Sequence, residues 1–189
     1  RQRQMCIRDS FGTVQIAANG VANSLDSMGC IVGQAMNLAM ITVIGRCVGA
    51  GDSGQVRHYT KKLLKITYVC TFVVNSIILL CLPWILKCYG LSPETTQLSY
   101  ILVMIHNGMA MFLWPASFVL PNMLRACNDV RFTMVLSIFS MFMFRIGFSY
   151  IIGVNMGYGA IGVWIAMVLD WIFRVICFVS RYLSGHWLK

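Results

Sequence analysis

Charged residues are scarce in this sequence. They make up 11% of the 189 residues, whereas a soluble globular domain carries roughly 25%. Carboxylates are rarer still, with six Asp and Glu against 15 Lys and Arg, and 58% of the residues are hydrophobic. A surface with so few charges is poorly suited to water, so the composition excludes an ordinary soluble domain and indicates a protein embedded in lipid.

Motifs of catalysis and metal binding are also missing. The eight cysteines and three histidines are scattered, and no Cys-x-x-Cys spacing, G-x-S-x-G elbow, Walker loop or G-x-G-x-x-G run is present. We therefore expect no enzyme, no metal centre and no cofactor. The net charge of +9 does not indicate nucleic acid as a partner, because the basic residues punctuate apolar stretches and do not cluster on one soluble face.

Long apolar stretches are what the sequence has instead. Five of them can cross a hydrocarbon core of roughly 30 Å, and we predict spans at about 14–45, 66–89, 95–124, 131–154 and 160–183. The first is less apolar than the others, yet it carries a single charge, Asp26. The expected fold class is an all-α membrane protein, a polytopic helical bundle of about five transmembrane helices.

The basic residues predict the orientation of these spans. When the connections of residues 11–189 are assigned alternately to the two sides, one side receives Lys87 alone, and the other receives Arg46, Arg57, Lys61, Lys62, Lys65, Arg125, Arg131, Arg181 and Lys189. By the positive-inside rule the richer side is cytoplasmic. We expect a multi-pass protein of the inner (plasma) membrane, with connections 46–65 and 125–131 and the C-terminus in the cytosol, and residues 83–94 and 153–162 outside.

The first ten residues, 1–10, differ in texture from the rest. They are polar and basic, and they place Arg1, Arg3 and Arg8 on the outward side, against the charge rule. A secretory signal is not indicated, because no apolar core follows the positive start. The stretch is similar to translated sequencing-adapter sequence, so we predict that 1–10 is foreign and that 11–189 is a transmembrane lobe cut off upstream.

Glycine and proline mark where the helices are interrupted. The run 49–54 ends the first span, Ser92 can cap the third, and 155–159 separates the last two. Pro115 and Pro121 lie inside the third span, where each removes a backbone donor and can bend the helix. In a membrane such breaks are tolerated where partners or a water-filled cavity satisfy the freed carbonyls.

Polar residues recur at intervals of three or four along the first span: Gln15, Asn19, Asn23, Asp26, Cys30, Gln34 and Asn37. At about 100° per residue they fall in an arc of roughly 100° and form one stripe. The stripe either joins helices through side-chain amides or forms a cavity wall that contacts ions or solutes. Because it contains a carboxylate and runs the length of the membrane, we favour the cavity wall.

Two carboxylates lie deep in the predicted spans, Asp26 and Asp170, together with the cations Arg145 and Arg174. Counting roughly 1.5 Å per residue, Arg145 and Asp170 lie at similar depths on adjacent antiparallel helices, and Arg174 is one turn from Asp170. The three form either a self-neutralising structural cluster or a switch in which a proton or cation on Asp170 frees an arginine. Two arginines oppose protonation of Asp170, so Asp26 is the better candidate proton carrier.

His106 and Asn107 lie in the third span before its first proline. A lone histidine on an apolar helix is usually satisfied by a neighbour, and the alternative is a role in ion coupling. Methionine and aromatic residues around them, such as those of 109–114 and 141–144, are mostly core and lipid-facing, but they also make adaptable walls for apolar ligands. We predict a cavity lined by the stripe and by residues around His106.

Three motifs in order resemble the multidrug and toxic compound extrusion (MATE) family. The runs 44–52, 121–129 and 157–164 are similar to that family's end of the eighth helix, loop after the tenth helix and turn into the twelfth. The structural positions that we predict are Gly45, Gly49, Gly51, Asp52, Pro121, Arg125, Asp129, Gly159 and Gly162 within these runs, together with Pro115 before the second run. On this map the chain supplies helices eight to twelve.

The resemblance implies twelve helices in two six-helix lobes that expel organic cations in exchange for H⁺ or Na⁺. It also implies that an N-terminal lobe of the same chain and the membrane lipids are partners, and that the fragment alone is inactive. Some relatives carry a cation-binding carboxylate in the tenth helix, where this chain has Trp114. Coupling is therefore expected in the absent lobe or at Asp26.

Two other functions remain open on the sequence. A lipid-linked glycan flippase of the same superfamily needs several cations facing its cavity to hold a pyrophosphate, and here only Arg145 and Arg174 could serve. A non-transporting membrane scaffold predicts no substrate-dependent ion flux.

Overall fold

The computed structural model describes the backbone of residues 2–155 and 157–188 and the side chains of 12–153 and 157–187. Within that part of the chain, five helical rods are long and apolar enough to cross a membrane, which confirms the predicted bundle. They are Gly12–Gly49, Ser53–Cys88, Pro93–Ala126, Val130–Gly153 and Gly159–Leu183, here called spans 1 to 5. Span 1 belongs to the helix Gln2–Gly49, and a short 3₁₀ turn, His186–Leu188, follows span 5.

The foreign origin of residues 1–10 stays a prediction. The backbone of residues 2–10 continues the helix of span 1, whereas Arg1 and the side chains of residues 2–11 lie outside the described part.

Span 2 begins 13 residues earlier than predicted, at Ser53 and not at 66. The N–H of Gln55 donates to Asp52 Oδ1 at 3.0 Å, which caps the helix. Gly51, with φ of +71°, supplies the left-handed turn that reverses the chain. Val56 is buried on the inner side of the early turns. The polar connection predicted at 46–65 is thus mostly helix, because one of its faces packs on the bundle.

Span 3 remains one rod through both prolines. It comprises an α-helix Pro93–Trp114, a π-helical turn Pro115–Val119 and an α-helix Leu120–Ala126. The N–H of Leu120 donates to the carbonyl of Pro115, so the ladder widens around the missing donor instead of breaking. Ser117 Oγ donates to the carbonyl of Trp171 at 3.0 Å and fixes this turn against span 5.

Span 4 is the most lightly packed element. It runs as an α-helix Val130–Ser140 and a π-helix Met141–Phe148, followed by a π-helical segment Ile151–Asn155. Only 6% of the most apolar 18-residue stretch of span 4 is buried, against 56% of the corresponding stretch of span 3. Span 4 therefore lies at the edge of the bundle, with span 5 as its main neighbour.

Gly162 allows spans 4 and 5 to approach each other. A Cβ at Gly162 would lie 2.8 Å from the backbone nitrogen of Gly153, so a larger residue would push the two helices apart. Small residues in such contacts are a common means of helix association in membranes. The predicted structural role of Gly162 has a direct physical basis here.

Spans 1, 2, 3 and 5 together enclose the two apolar clusters of the core. One apolar cluster fills the end at which spans 1 and 2 are joined, around Met40, Ile44 and Phe178. A second cluster fills the opposite end, around Leu25, Leu82 and Leu102. Polar contacts, described below, lie between the two clusters and along one side of span 1.

Candidate functional site

The polar stripe of span 1 lies beside the packed face of the helix. Ala18, Ala22, Leu25, Gly29 and Gly33 are buried, and the stripe residues Asn19, Asn23, Asp26, Cys30 and Gln34 each come one position later. A step of about 100° places them at the edge of the packed face. The stripe is accordingly half-buried to exposed, and it borders open clefts.

Two clefts open along this edge. A cleft of about 450 Å³ lies between spans 1, 3, 4 and 5; we call it the central cleft, and it is lined by Asp26, Ser27, Cys30, Ile31, Gln34, His106, Trp114, Phe118, Arg145, Met167 and Trp171. A smaller one of about 320 Å³ includes Gln15, Asn19 and Trp164. The stripe and the residues around His106, which the sequence predicted to line one cavity, both lie in the wall of the central cleft.

Asp26 and His106 form a direct pair across the central cleft's wall. Asp26 Oδ1 lies 2.7 Å from His106 Nδ1, with the carboxylate side chain 26% exposed and the imidazole 2% exposed. Cys30 Sγ donates to the same oxygen of Asp26 at 3.4 Å. No cation is near Asp26 in the sequence, and the fold supplies this titratable partner from another span.

Aromatic rings fix the orientation of His106. Trp164 and Trp171 meet the imidazole edge to face, with ring centroids 4.9 and 4.7 Å from its own. Asn107 Oδ1 lies 3.4 Å from Nδ1. The ring thus has little room to rotate away from Asp26, so Nδ1 is held toward the carboxylate.

The pair can take up a proton without losing its hydrogen bond. Imidazole donates from Nδ1 both as imidazolium and as the neutral Nδ1–H tautomer, and a carboxylate accepts in either case. Among the described residues no group of three or more His, Cys, Asp or Glu side chains converges on a metal site.

Buried amide and hydroxyl side chains of span 2 lie near the Asp26–His106 pair, and the sequence analysis did not predict them. Asn75 Nδ2 donates to the carbonyl of Thr71 at 2.9 Å, and a Cβ at Gly29 would lie 2.5 Å from Asn75 Oδ1 and 3.4 Å from Asn107 Nδ2. Thr67, Thr71 and Asn75 are all buried. Their four-residue spacing inside an apolar run was the signal that could have revealed this polar inner face.

The two ends of the stripe bond to neighbouring helices. Asn19 Oδ1 accepts from Trp164 Nε1 at 2.8 Å. At the other end, Asn122 Nδ2 donates to Asn37 Oδ1 at 2.9 Å and Arg125 Nη1 donates to Asn122 Oδ1 at 3.2 Å. The structure thus divides the stripe: its ends join helices, and its middle, at Asp26, faces the cleft.

Gln15 lies near the turn into span 5. A Cβ at Gly159 would lie 2.8 Å from Gln15 Nε2, and Gly159 itself has φ of +55°. Asn23 and Gln34 are exposed, and Gln34 Oε1 accepts from Asn37 Nδ2 at 3.3 Å.

Asp170 forms a sealed pair with Arg174. Arg174 Nε donates to Asp170 Oδ1 at 3.1 Å, and the carboxylate is 1% exposed. Ser140 Oγ donates to the same carboxylate oxygen, and Arg174 Nη2 donates to the carbonyl of Ser137 at 3.2 Å. The pair fastens span 4 to span 5.

Arg145 does not join this pair, which corrects the predicted three-residue cluster. Its Nη2 donates to Met167 Sδ at 3.0 Å, and its side chain lines the central cleft. The prediction counted α-helical turns, whereas residues 141–148 form a π-helix. A π-helix differs from an α-helix in both rise and angle per residue, so a depth count at the α-helical rise fixes neither the level nor the face of Arg145.

The remaining structural motifs act at the connections. Asp129 accepts from Arg181 Nε at 2.8 Å and from its Nη2 at 3.3 Å, a two-point contact between the 126–130 connection and span 5. Gly45 and Gly49 have nothing within 4 Å of an added Cβ, whereas a Cβ at Gly33 would overlap the Trp114 ring. Close packing on span 1 therefore depends on Gly33 and Gly29 and not on the two glycines that the motif singled out.

Comparison with known proteins identifies a family model and two curated relatives that this chain resembles. A family model described as MatE matches residues 5–151. One curated relative is the probable multidrug resistance protein NorM of Thermotoga maritima, 22% identical over 178 residues, which are 94% of this chain and 38% of the relative.

A second relative is an uncharacterised transporter, YisQ, of Bacillus subtilis. It is 27% identical over 101 residues, which are 52% of this chain and 21% of the relative. The chain thus spans well under half the length of these relatives. No solved structure matches the chain significantly.

Proposed function

The chain belongs to the MatE family of membrane transporters, and on this basis we propose that the whole protein is a proton-coupled antiporter that expels small organic cations. The observation that carries the proposal is the Asp26–His106 pair on the wall of an open cleft. A titratable pair inside a membrane is costly to maintain, and such groups characteristically mark ion or solute pathways.

The cleft offers a cationic substrate both a charge and a surface. Asp26 supplies the negative charge, and Trp114, Phe118 and Trp171 supply aromatic faces nearby. A cation over an aromatic face gains roughly 0.5–2 kcal/mol, with the larger value in a desolvated site. We expect the opposite wall of the cleft to come from an N-terminal lobe of the same protein.

Antiport follows from competition for one carboxylate. A proton on the pair removes the negative net charge of Asp26 that holds a cationic substrate, and the substrate in turn favours loss of that proton. Each ligand then weakens the other by the same free energy, which is the linkage that exchange requires. A conformational change that exposes the pair first to one side of the membrane and then to the other completes the cycle.

The partners of Asp26 favour a proton over sodium as the coupling ion. Hard cations prefer a cage of oxygen ligands, whereas Asp26 faces an imidazole nitrogen and a thiol. Trp114 lies in the same wall, where some relatives are expected to carry a carboxylate. A sodium site in this cleft would therefore lack a second carboxylate from the described residues that line it.

A glycan flippase has less support from this cleft. A pyrophosphate group needs several cations, but Arg174 is 12% exposed and committed to Asp170. Arg145 is the one Arg or Lys among the described lining residues. A single cation is insufficient for a doubly charged headgroup, so the antiporter remains the better proposal.

Dye efflux tests the coupling. In vesicles that contain the full-length protein, a proton gradient should drive efflux of a cationic dye, and Asp26→Asn should abolish the gradient dependence. Glu94→Gln is the matched control, since Glu94 is an exposed carboxylate at the start of span 3, and it should leave efflux unchanged. Gradient-driven efflux that survives in Asp26→Asn refutes the assignment, and absence of any flux in the wild type would favour the scaffold.

We also propose that the C-terminus and the 126–130 connection face the cytosol of a cell whose plasma membrane holds the protein. Cys88, exposed at the far end of span 2, should then react with a membrane-impermeant maleimide added outside intact cells. Cys127 is a built-in control, because burial and the charge of Asp129 raise the pKa of its thiol to about 11 and leave little thiolate near neutral pH. Labelling of Cys88 only after lysis would reverse the topology.

A further inference from the structure

The first turns of span 2 form a basic segment that the transport proposal does not use. Val56 and Thr60 are buried there, on the side facing the bundle. Outward on the same turns lie the exposed side chains of Lys61, Lys62 and Lys65. The segment is therefore amphipathic, with a packed inner face and three lysines outside.

The three lysines share one face of the helix. Lys61 and Lys65 are four residues apart and Lys62 and Lys65 three apart, which are the spacings of neighbours on a helical surface. Like charges at these spacings destabilise a helix. An anion bound between them would remove that repulsion, so the arrangement favours an occupant with negative charge.

The protein itself supplies no such anion among its described residues. The ion pairs in that part of the chain are Asp26 with His106, Asp170 with Arg174, and Asp129 with Arg181. Asp52, the carboxylate nearest in sequence, caps the helix through the N–H of Gln55. The lysine charges thus remain uncompensated within the bundle.

The depth of the lysines matches lipid headgroups. The apolar run from residue 66 to residue 86 is about 31 Å long at 1.5 Å per residue, close to the hydrocarbon thickness of about 30 Å. Lys65 then lies at its boundary and Lys61 about 6 Å further out, within a headgroup layer of roughly 5–8 Å per side. Arg57, a further turn away, lies over the Trp187 ring at 5.7 Å and is already engaged.

We propose that Lys61, Lys62 and Lys65 form a binding site for the headgroup of an anionic phospholipid. The lipid phosphate would accept from the lysine ammonium groups, while its acyl chains lie along the exposed apolar side of span 2, at Ile66 and Val69. The site anchors the end of span 2 in the leaflet that also contacts the 50–52 turn. It depends on the membrane embedding of the bundle and not on the transport proposal.

Lipid titration of the purified full-length protein tests the site. Native mass spectrometry in a neutral detergent would measure binding of phosphatidylglycerol, with phosphatidylcholine as the uncharged comparison. Each juxtamembrane cation contributes about fivefold to such binding, so Lys61→Gln should weaken it about fivefold and the triple variant on the order of a hundredfold. Lys87→Gln, at the other end of the same helix, is the matched control and should change it less than about twofold.

Charge-preserving variants separate the site from a folding defect. Lys61→Arg, Lys62→Arg and Lys65→Arg together should retain phosphatidylglycerol binding, because they keep the charges. Circular dichroism of the Gln variants should show unchanged helicity. Equal loss in Lys87→Gln, no loss in the triple Gln variant, or equal affinity for phosphatidylcholine would overturn the proposal, and none of these outcomes bears on dye efflux.

Discussion

Asp26 and Asp170 are the two carboxylates that lie deep within the described spans, and their surroundings differ. The side chain of Asp26 is 26% exposed and is paired with His106 beside the open central cleft. Asp170 is 1% exposed and is closed in by Ser140 and Arg174. The sequence favoured Asp26 as the candidate proton carrier because two arginines lie near Asp170. The structure adds a second difference, which is the access of ions and solutes to the carboxylate. A carboxylate can respond to ions or substrates only where they can reach it.

The strongest test of this difference is the stability of the bundle. Asp170→Ala leaves the Arg174 charge buried and unpaired, so it should lower the free energy of unfolding by about 3–5 kcal/mol. Asp26→Asn should lower it by less than about 1 kcal/mol, because the cleft hydrates whatever remains. The measurement is unfolding of the full-length protein in detergent micelles. Equal losses in the two variants would contradict the contrast.

The contribution to proton coupling that we propose for His106 is the next test. His106→Gln keeps a polar side chain but cannot take a positive charge, so proton-driven efflux should fall at least about fivefold, the lower end of typical coupling energies. His58→Gln, an exposed histidine on the basic segment of span 2, is the control and should have no effect. A pH profile of efflux that is the same in His106→Gln and the wild type would remove His106 from the coupling pair.

Double-mutant cycles give the smallest and sharpest contrast. Asp170→Ala with Arg174→Ala should show an interaction energy of about 0.5–3 kcal/mol, as residues in contact do. Asp170→Ala with Arg145→Ala should be additive to within roughly 0.5 kcal/mol, since Arg145 lies on Met167 instead. A large interaction energy between Asp170 and Arg145 would restore the three-residue cluster that the sequence predicted.

Local patterns in the sequence predicted the spans well. Hydropathy located all five, and the polar stripe at intervals of three to four residues identified the side of span 1 on which the cleft lies. Both signals depend on nearby residues and regular helical geometry. The start of span 2 at Ser53 was not predicted, because charged residues such as Lys61 and Lys62 suggested a loop. Val56 and Thr60 nevertheless pack inward.

Contacts between distant residues were beyond the sequence. The pairing of Asp26 with His106 depends on how spans 1 and 3 are rotated against each other, which no single-span pattern fixes. Arg145 was misplaced because the prediction compared depths at the α-helical rise, whereas residues 141–148 form a π-helix. Asn75 was overlooked because one amide in an apolar run carries little weight until a glycine on another helix lies beside it.

The two indoles that flank His106 give the site its own optical signal. Protonated imidazole quenches the emission of an indole ring in contact with it, and Trp164 and Trp171 both lie within 5 Å of this ring, centroid to centroid. With the other three tryptophans of this sequence, and any in the rest of the full-length protein, replaced by phenylalanine, the proposal predicts that fluorescence falls as His106 is protonated and recovers when a cationic substrate expels the proton. Occupancy of the proposed coupling site can then be followed in real time, without a dye or a gradient.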